Sequence, residues 1–368
     1  MIISNVKLIN FRNYDFIEQH FSNGINLIIG ENSAGKTNLL ESIYVLANTK
    51  SFRTAKDSIL IKHGNSGFYL KGEFIIDSLK YFSELSILDK SKIIKFNNDR
   101  VKKIRDYIGK ILVVLYHPSN LHIINETPMF RRMFVNIILS KTDIEYYVAL
   151  RNYFQILNEK RAALKSYKSG SVNFDIIEVL NSRLSEFAFK IILSRIKFIN
   201  IFKDIAKDKF NSVMSRKYDL NLEYKTNCIS LDNYKYNLDI NSLKTEINKH
   251  FLKALGSEIK FCKIMTGVQS DDFLITNSGY SAKHFFSQGE KKSFVLSLKL
   301  SEIDYMRNIS GHYPIVLFDD IFSELDDIRK KFLINELNKG FQAIITDTSY
   351  NVNLDCLQNF QKIEIIRK

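Results

Sequence analysis

The sequence predicts an α/β fold whose central sheet is built from both ends of the chain, with a helical domain inserted between them. Two observations concern the ends: a glycine-rich loop follows an apolar strand near residue 30, and two aspartates end another apolar strand near residue 320. The third is the run from residue 131 to about 210, which contains no proline and repeats apolar residues at helical intervals. We therefore divide the chain into residues 1–120 and 257–368, which form one head, and residues 121–256, which form a helical arm.

The first part of the chain has the pattern of strands joined by short helices. Residues 6–11 alternate as in a half-buried strand, and residues 69–76 and 81–88 indicate two antiparallel strands. The continuous apolar run at residues 111–115 is typical of a core strand. These segments are predicted to belong to the head.

The middle of the chain changes to helical spacing. A polar break at residues 169–173 interrupts the long run, so we predict an antiparallel helix pair that projects from the head. Another helix is predicted at residues 242–255, with Gly256 as its C-terminal stop. From residue 259 onward strands and helices alternate again.

The loop after residues 25–29 carries a complete G-x-x-x-x-G-K-[ST] pattern, and residues 38–46 behind it have helical spacing. The glycines let backbone N–H groups close around phosphates at a helix N-terminus. Lys36 would reach the β- and γ-phosphates and Thr37 would ligate Mg²⁺, which predicts ATP with Mg²⁺ as ligand. The alternative is a glycine turn before an ordinary helix. The candidate phosphate-binding residues are Gly30, Glu31, Asn32, Ser33, Ala34, Gly35, Lys36 and Thr37.

The second candidate cluster is the apolar strand at residues 314–318, which ends in Asp319 and Asp320. This is a Walker B arrangement, in which Asp319 would hold Mg²⁺. Asp320 would be the catalytic carboxylate that orients or deprotonates the attacking water. Because aspartate is one methylene shorter than glutamate, we expect slow hydrolysis. Two acids after an apolar run are also compatible with a simple strand-end turn.

Two further motifs surround this strand. Residues 286–290 are similar to the signature of ABC-type ATPases, and residues 321–326 are similar to their D-loop. Ser287, Gln288 and Gly289, at a helix N-terminus, would bind the γ-phosphate of a second molecule's nucleotide. The sequence therefore predicts an ATP-dependent homodimer with shared sites.

Composition narrows the class of protein further. The net charge of +13 favours an anionic partner such as DNA, although lysine excess in chains from AT-rich genomes raises charge without any ligand. No apolar stretch approaches the roughly 20 residues of a membrane span, so we expect a cytoplasmic protein without membrane contact. Cys228, Cys262 and Cys356 are scattered and predict reduced thiols.

Motifs along nearly the whole length match one family. They are residues 8–14, 30–41, 50–54, 117–121, 131–134, 266–267 and 271–273, with the signature and the two acids. On these the chain resembles the RecF family, bacterial DNA replication and repair ATPases of the SMC-like ABC group. The resemblance implies an ABC-type ATPase head with a short helical arm. It also implies ATP-dependent dimerisation on DNA at single-strand/duplex junctions or gaps, where the protein would help RecO and RecR load RecA.

Some positions depart from the family pattern. Residues 268–270, ending in Ser270, replace Pro-His-Arg, and Asn136 replaces an aspartate. These changes put in doubt any DNA contact or interdomain pairing made by the lost arginine and aspartate. Arg12, in the position of an SMC-like arginine, either contacts phosphate or DNA or is a surface arginine.

Two other classes of protein remain as alternatives. One is an ABC-type ATPase subunit of transport or translation. In transporter heads a switch histidine follows the last core strand, where this chain has Thr346. The other is a nucleotide-binding protein without turnover, against which the paired acids argue.

Overall fold

The computed structural model describes residues 1–89, 91–234, 238–348 and 360–366, so Cys356 lies outside the described residues. The chain divides into two compact units. The P-loop unit comprises Met1–Leu121, Asp208–Lys217 and Ser287–Lys368, and the helical unit comprises His122–Lys207 and Tyr218–Phe286. None of the helices in the described ranges has the length and hydrophobicity of a membrane span.

Strands and helices alternate in the first and last parts of the described chain, and helices dominate the middle. The strands are β1 Ile2–Phe11, β2 Tyr14–His20, β3 Ile25–Ile29, β4 Gly67–Ile76, β5 Leu79–Leu88, β6 Ser91–Phe96, β7 Asp99–Arg100, β8 Val113–Tyr116, β9 Leu220–Lys225, β10 Asp272–Asn277, β11 Tyr280–Ser281, β12 Ile315–Asp319, β13 Ala343–Asp347 and β14 Phe360–Glu364. The helices are α1 Lys36–Asn48, α2 His122–Asn125, α3 Pro128–Thr142, α4 Ile144–Lys168, α5 Phe174–Met214, α6 Ile240–Phe261, α7 Ala282–Phe285, α8 Gln288–Ser310 and α9 Asp327–Leu337.

The P-loop unit contains a parallel sheet in the order β14-β3-β13-β12-β8. β3, β12 and β13 are buried at every position, which explains why their sequences are continuous apolar runs. β3 leads into the glycine loop, β12 ends at Asp319, and β13 lies between these two strands. Because the strands are parallel, the loop and the acidic strand end lie at one edge of the sheet. The predicted α/β fold, with a parallel sheet built from both chain ends, is confirmed.

A second sheet of the P-loop unit is antiparallel, in the order β2-β1-β4-β5-β6-β7. The strands predicted at residues 69–76 and 81–88 lie in β4 and β5, which pair along their whole length. Asp77 and Ser78 turn this hairpin with left-handed φ values of 51° and 64°. Helix α1 packs against strands of both sheets, and Leu39 on this helix is fully buried. The helix behind the glycine loop is therefore fixed by the core of the unit.

In the helical unit the sequence prediction needs two corrections. The predicted break at residues 169–173 does separate α4 from α5, but residues 131–142 belong to a third long helix, α3, because Asp143 ends α3 and caps α4 by accepting the Tyr146 N–H. Helix α6 covers the predicted residues but does not stop at Gly256: it continues to Phe261 and is capped by Cys262, whose backbone is left-handed. A Cβ at Gly256 would meet nothing within 4 Å. Glycine on such an open helix face costs only about 1 kcal/mol and does not stop the helix.

The boundaries of the units also differ from the sequence-based division. Residues 257–286, predicted as head, belong to the helical unit, because β10 pairs antiparallel with β9 in a sheet of order β11-β10-β9. Residues 208–217, predicted as arm, belong to the P-loop unit. There the Lys209 ammonium lies 2.7 Å from Asp304 and 3.0 Å from Glu336. The role of the helical unit as an arm stays a prediction.

Candidate nucleotide site

The glycine loop between β3 and α1 is supported by the turn that joins β1 to β2. Asn13 donates to the Ala34 carbonyl at 3.2 Å and Tyr14 donates to the Gly35 carbonyl at 3.1 Å. Gly35 has φ +113°, and a Cβ there would lie 2.7 Å from the Asn13 amide and the Tyr14 hydroxyl. The loop therefore requires glycine at this position. Its exposed outer residues are Glu31, Asn32 and Ser33.

Lys36 begins α1, and its side chain turns back into the loop. Its Nζ donates to the carbonyls of Gly30 and Glu31 at 2.7 and 2.9 Å. Burial lowers the pKa of Lys36 more than nearby carboxylates raise it. Those carboxylates belong to Asp320, Asp319 and Asp347. The loop thus encloses a buried amino group beside three acids.

Asp319, at the end of β12, accepts hydrogen bonds from two hydroxyl groups. Thr37 Oγ1 and Thr346 Oγ1 each donate to Asp319 Oδ1 at 2.8 Å. Carboxylate and hydroxyl oxygens are ligands that Mg²⁺ accepts, and the two residues predicted to hold it are in direct contact. In the sequence, Thr346 stood out only by its place at the switch position, because no motif marks its hydroxyl.

Asp320 has a conformation and an environment unlike those of Asp319. Its φ is +52°, and its N–H donates to Thr346 Oγ1 at 3.0 Å. Its Oδ1 is buried and has no hydrogen-bond partner among the described residues. Burial raises the pKa of Asp320, and Asp347 and Asp319 raise it further. A carboxyl group in this state is suited to accept a hydrogen bond or a proton from water.

Arg12 is held by a carboxylate on α1. Its Nε and Nη2 donate to Glu41 Oε2 and Oε1 at 2.8 and 2.7 Å, which is a bidentate pair. Glu41 is fully buried, accepts the Ser51 hydroxyl at 2.5 Å and lies 3.4 Å from Arg53. The contact makes Arg12 an anchor between the end of β1 and α1. In the sequence, Glu41 stood out only as the last residue of a family motif, because its contact with Arg12 joins separate segments.

His117 follows β8 and lies beside the acidic strand end. Its Nε2 is 3.5 Å from Asp319 Oδ2, and its ring centre is 5.2 Å from that of Phe52. Burial lowers the pKa of His117, and the charge of Arg53 acts in the same direction, whereas Asp319 and Glu41 oppose it. In the sequence, His117 stood out only as part of a family motif.

The signature residues lie at the N-terminus of α8. The Ser287 hydroxyl accepts the Glu290 N–H at 3.3 Å, and the Glu290 carboxylate accepts the Ser287 N–H at 2.8 Å, which forms a capping box. Arg216 pairs with the same carboxylate at 2.7 Å. Ser287, Gln288 and Gly289 are exposed. A second molecule can reach them, but their predicted role in its site stays a prediction.

The helical unit shows where the departures from the family pattern lie. Asn136 Oδ1 accepts from Arg195 Nη2 at 3.0 Å and from the Tyr146 hydroxyl at 2.5 Å. Arg195 is 1% exposed and forms a buried ion pair with Asp271. Asn136 is therefore part of a buried polar cluster around Arg195. Ser270 ends a 3₁₀ turn directly before Asp271, the partner of Arg195.

The chain is similar to known proteins over nearly its whole length. Residues 2–364 match the family model described as RecF/RecN/SMC N terminal domain. DNA replication and repair protein RecF of Clostridium novyi (strain NT) is 35% identical over 349 residues, which are 95% of this chain and 93% of the relative. The chain belongs to the RecF family. The same-named protein of Clostridium tetani (strain Massachusetts / E88) is 34% identical over 364 residues, 99% of this chain and 97% of that protein.

Solved structures agree with this membership. A structure described as the recombination mediator protein RecF-ATPrS in the RecFOR pathway has a TM-score of 0.88 and 30% identity, and covers 98% of this chain and 96% of its own. The corresponding RecF-ATP structure has the same score and identity, with coverage of 95% and 93%. An Smc head bound to the C-winged helix domain of ScpA, with a TM-score of 0.55 at 14% identity over 98% of this chain and 93% of its own, shares the fold. As a RecF family member, the chain is an ABC-type ATPase of DNA replication and repair.

Proposed function

We propose that this protein binds ATP with Mg²⁺ at the edge of the parallel sheet and hydrolyses it slowly. The observation that carries the proposal is the direct contact of Thr37 and Asp319, beside the buried Lys36 amino group. These groups fit a Mg²⁺–triphosphate by their chemistry, because they combine hard oxygen ligands, a cation for phosphate and a glycine loop of backbone N–H groups. The orphaned Oδ1 of Asp320 is a further polar group without a protein partner in the described structure.

Each residue has a distinct role in this proposal. Lys36 and the loop N–H groups bind the triphosphate, with Asn32 as an additional γ-phosphate contact. The Thr37 hydroxyl and the Asp319 carboxylate hold Mg²⁺, which, when bound, draws negative charge from the phosphate oxygens. Asp320 orients the attacking water and accepts its proton. Thr346 keeps both acids in place through its single hydroxyl.

The exposed signature residues support a shared-site dimer. The first N–H groups of a helix have no backbone acceptor within the helix. At the start of α8 the capping box takes those of Ser287 and Glu290, and the exposed Gln288 and Gly289 lie between them. Such a helix start binds anions. We propose that it binds the γ-phosphate held by a second copy of this chain, so that ATP brings two copies together.

Family membership and net charge support a proposal for the cellular role. Relatives are described as recombination mediators in the RecFOR pathway, and the chain carries a net charge of +13. We propose that the ATP-bound dimer acts in the cytoplasm, binds DNA at single-strand/duplex junctions or gaps, and works with RecR and RecO in RecA loading. Binding of this kind depends mainly on phosphate contacts, so its affinity should fall steeply across a salt series.

The first experiment measures solution mass by light scattering for the Asp320→Asn protein, with and without ATP and Mg²⁺. This variant should bind ATP without turning it over. We expect one chain without ATP and two with it, followed by binding of gapped DNA by the dimer alone. A single chain under both conditions, with bound ATP demonstrated, contradicts the shared site. Wild-type protein that binds ATP but shows no turnover contradicts the hydrolytic role.

A further inference from the structure

His117 is positioned by the sheet beside the proposed metal ligand. β8 pairs parallel with β12, with Tyr116 opposite Phe318. The next residue in the chain is His117, directly after β8, in one case and Asp319, the last residue of β12, in the other. Consequently His117 Nε2 lies 3.5 Å from Asp319 Oδ2.

The other ring nitrogen determines which tautomer His117 adopts. The backbone N–H of Ser119 donates to His117 Nδ1 at 3.1 Å, and the Ser119 hydroxyl lies 2.7 Å from the same nitrogen. A backbone N–H can only donate, so Nδ1 must be an acceptor and carries no proton. The ring proton is therefore on Nε2, the nitrogen that faces Asp319.

The loop around the ring holds it in this orientation. The Asn120 side chain accepts the backbone N–H of His117 at 2.9 Å, which closes the turn after β8. Phe52 packs beside the imidazole at an interplanar angle of 59°. The side chain of His117 is 23% exposed, so the ring is a mostly enclosed donor and not a freely rotating surface group.

Asp319 is thus approached by donors at both oxygens. Thr37 and Thr346 donate to Oδ1, while His117 faces Oδ2. We propose that His117 is a positioning residue, whose Nε2–H fixes the carboxylate plane of Asp319 for the divalent cation. The inference rests on the proposed function, since it assigns His117 to the same Mg²⁺–ATP site.

The test compares His117→Leu, which removes the donor, with His117→Gln, whose amide retains one near the position of Nε2. The exposed His63, changed to Leu, is the control. Binding of a fluorescent ATP analogue is measured in EDTA and across a Mg²⁺ titration. We expect unchanged affinity in EDTA for every variant. The Mg²⁺ concentration that gives half of the maximal change in analogue affinity should rise about tenfold in His117→Leu, because this variant lacks a hydrogen-bond donor to a charged group. It should stay near the wild-type value in His117→Gln and His63→Leu.

The outcomes separate the two proposals. Wild-type protein without Mg²⁺-dependent binding contradicts the proposed function itself. If the wild type responds to Mg²⁺ but His117→Leu responds equally, or if His117→Gln is as impaired as His117→Leu, the positioning role is wrong.

A second measurement reads the tautomer of the ring in the wild-type protein, and a variant serves only to assign its signals. In ¹⁵N NMR of histidine-labelled wild-type protein, with the His117 signals assigned by their loss in His117→Gln, the ring should show a protonated Nε2 and an unprotonated Nδ1. A proton on Nδ1 overturns the inference.

Discussion

The hydroxyl of Thr346 donates to the Asp319 carboxylate at 2.8 Å and accepts the backbone N–H of Asp320 at 3.0 Å. One side chain on β13 therefore holds both acids at the end of β12. The sheet register explains this arrangement, because Thr346 lies directly opposite Asp319 in the pairing of β13 with β12.

Replacing Thr346 with valine should impair both stability and turnover. Valine keeps the side-chain volume but removes both hydrogen bonds and leaves the partly buried Asp320 N–H without this acceptor. We expect a loss of about 1–3 kcal/mol in the free energy of unfolding. Turnover should fall at least about tenfold, which corresponds to roughly 1.4 kcal/mol of barrier. Urea unfolding and steady-state ATPase assays check this, with exposed Thr348→Val as the control. Wild-type values for Thr346→Val contradict the assigned role.

Loss of Arg12 should destabilise the P-loop unit. Its partner Glu41 has a side chain that is 0% exposed, so Arg12→Ala leaves a buried carboxylate without its bidentate partner. We expect a decrease of about 3–5 kcal/mol in the free energy of unfolding. A double-mutant cycle with Glu41→Gln should show strong coupling. Arg12→Ala leaves the charge of Glu41 buried without its partner, and Glu41→Gln removes that charge. If Arg12→Ala unfolds like the wild type but binds DNA weakly, Arg12 is a DNA contact and not an anchor.

Ser287→Arg should separate ATP binding from dimerisation. The substitution places a bulky cation at the exposed start of α8, while the glycine loop of the same chain is unchanged. We expect normal ATP binding but a single chain in light scattering. Loss of the Ser287 cap should lower stability by about 1 kcal/mol, which thermal unfolding can verify. Lys36→Ala is the matched control and should lose ATP binding itself. An ATP-dependent dimer of Ser287→Arg would rule out the role of this serine in the partner's site.

The two described cysteines should differ in reactivity. Cys228 is fully buried, and burial, with a contribution from Asp271, raises its thiol pKa to about 12. Only about one thiol in ten thousand is then ionised at pH 8, and thiolate is the reactive form. Mass spectrometry after maleimide labelling of native protein should show Cys262 modified well before Cys228. In urea the two should react at similar rates. Equal rates in the native protein would contradict the described burial.

The sequence predicted those parts of the site that are contiguous in the chain. The run from Gly30 to Thr37 forms its loop from neighbouring residues, and the strand before Asp319 and Asp320 is a continuous apolar segment. Composition and spacing therefore suffice to identify them. Helix ends were less predictable. Asp143 divides one helical run into two helices, and α6 continues through Gly256. Both outcomes depend on individual contacts, namely the cap that Asp143 forms and the open surroundings of Gly256.

The order of strands in the parallel sheet was decided only by the tertiary structure. In that order, β13 lies between β3 and β12, and β8 lies on the other side of β12. Thr346 on β13 and His117 after β8 are thereby brought to Asp319 at the end of β12. Glu41 reaches Arg12 in the same way, across separate segments. His117 and Glu41 lie in family motifs and Thr346 in none, but no motif shows these contacts, since each residue acquires its role from a partner distant in sequence. The sequence thus determined the glycine loop, the paired acids and the family, whereas long-range backbone pairing determined which side chains hold the loop and the acids in position.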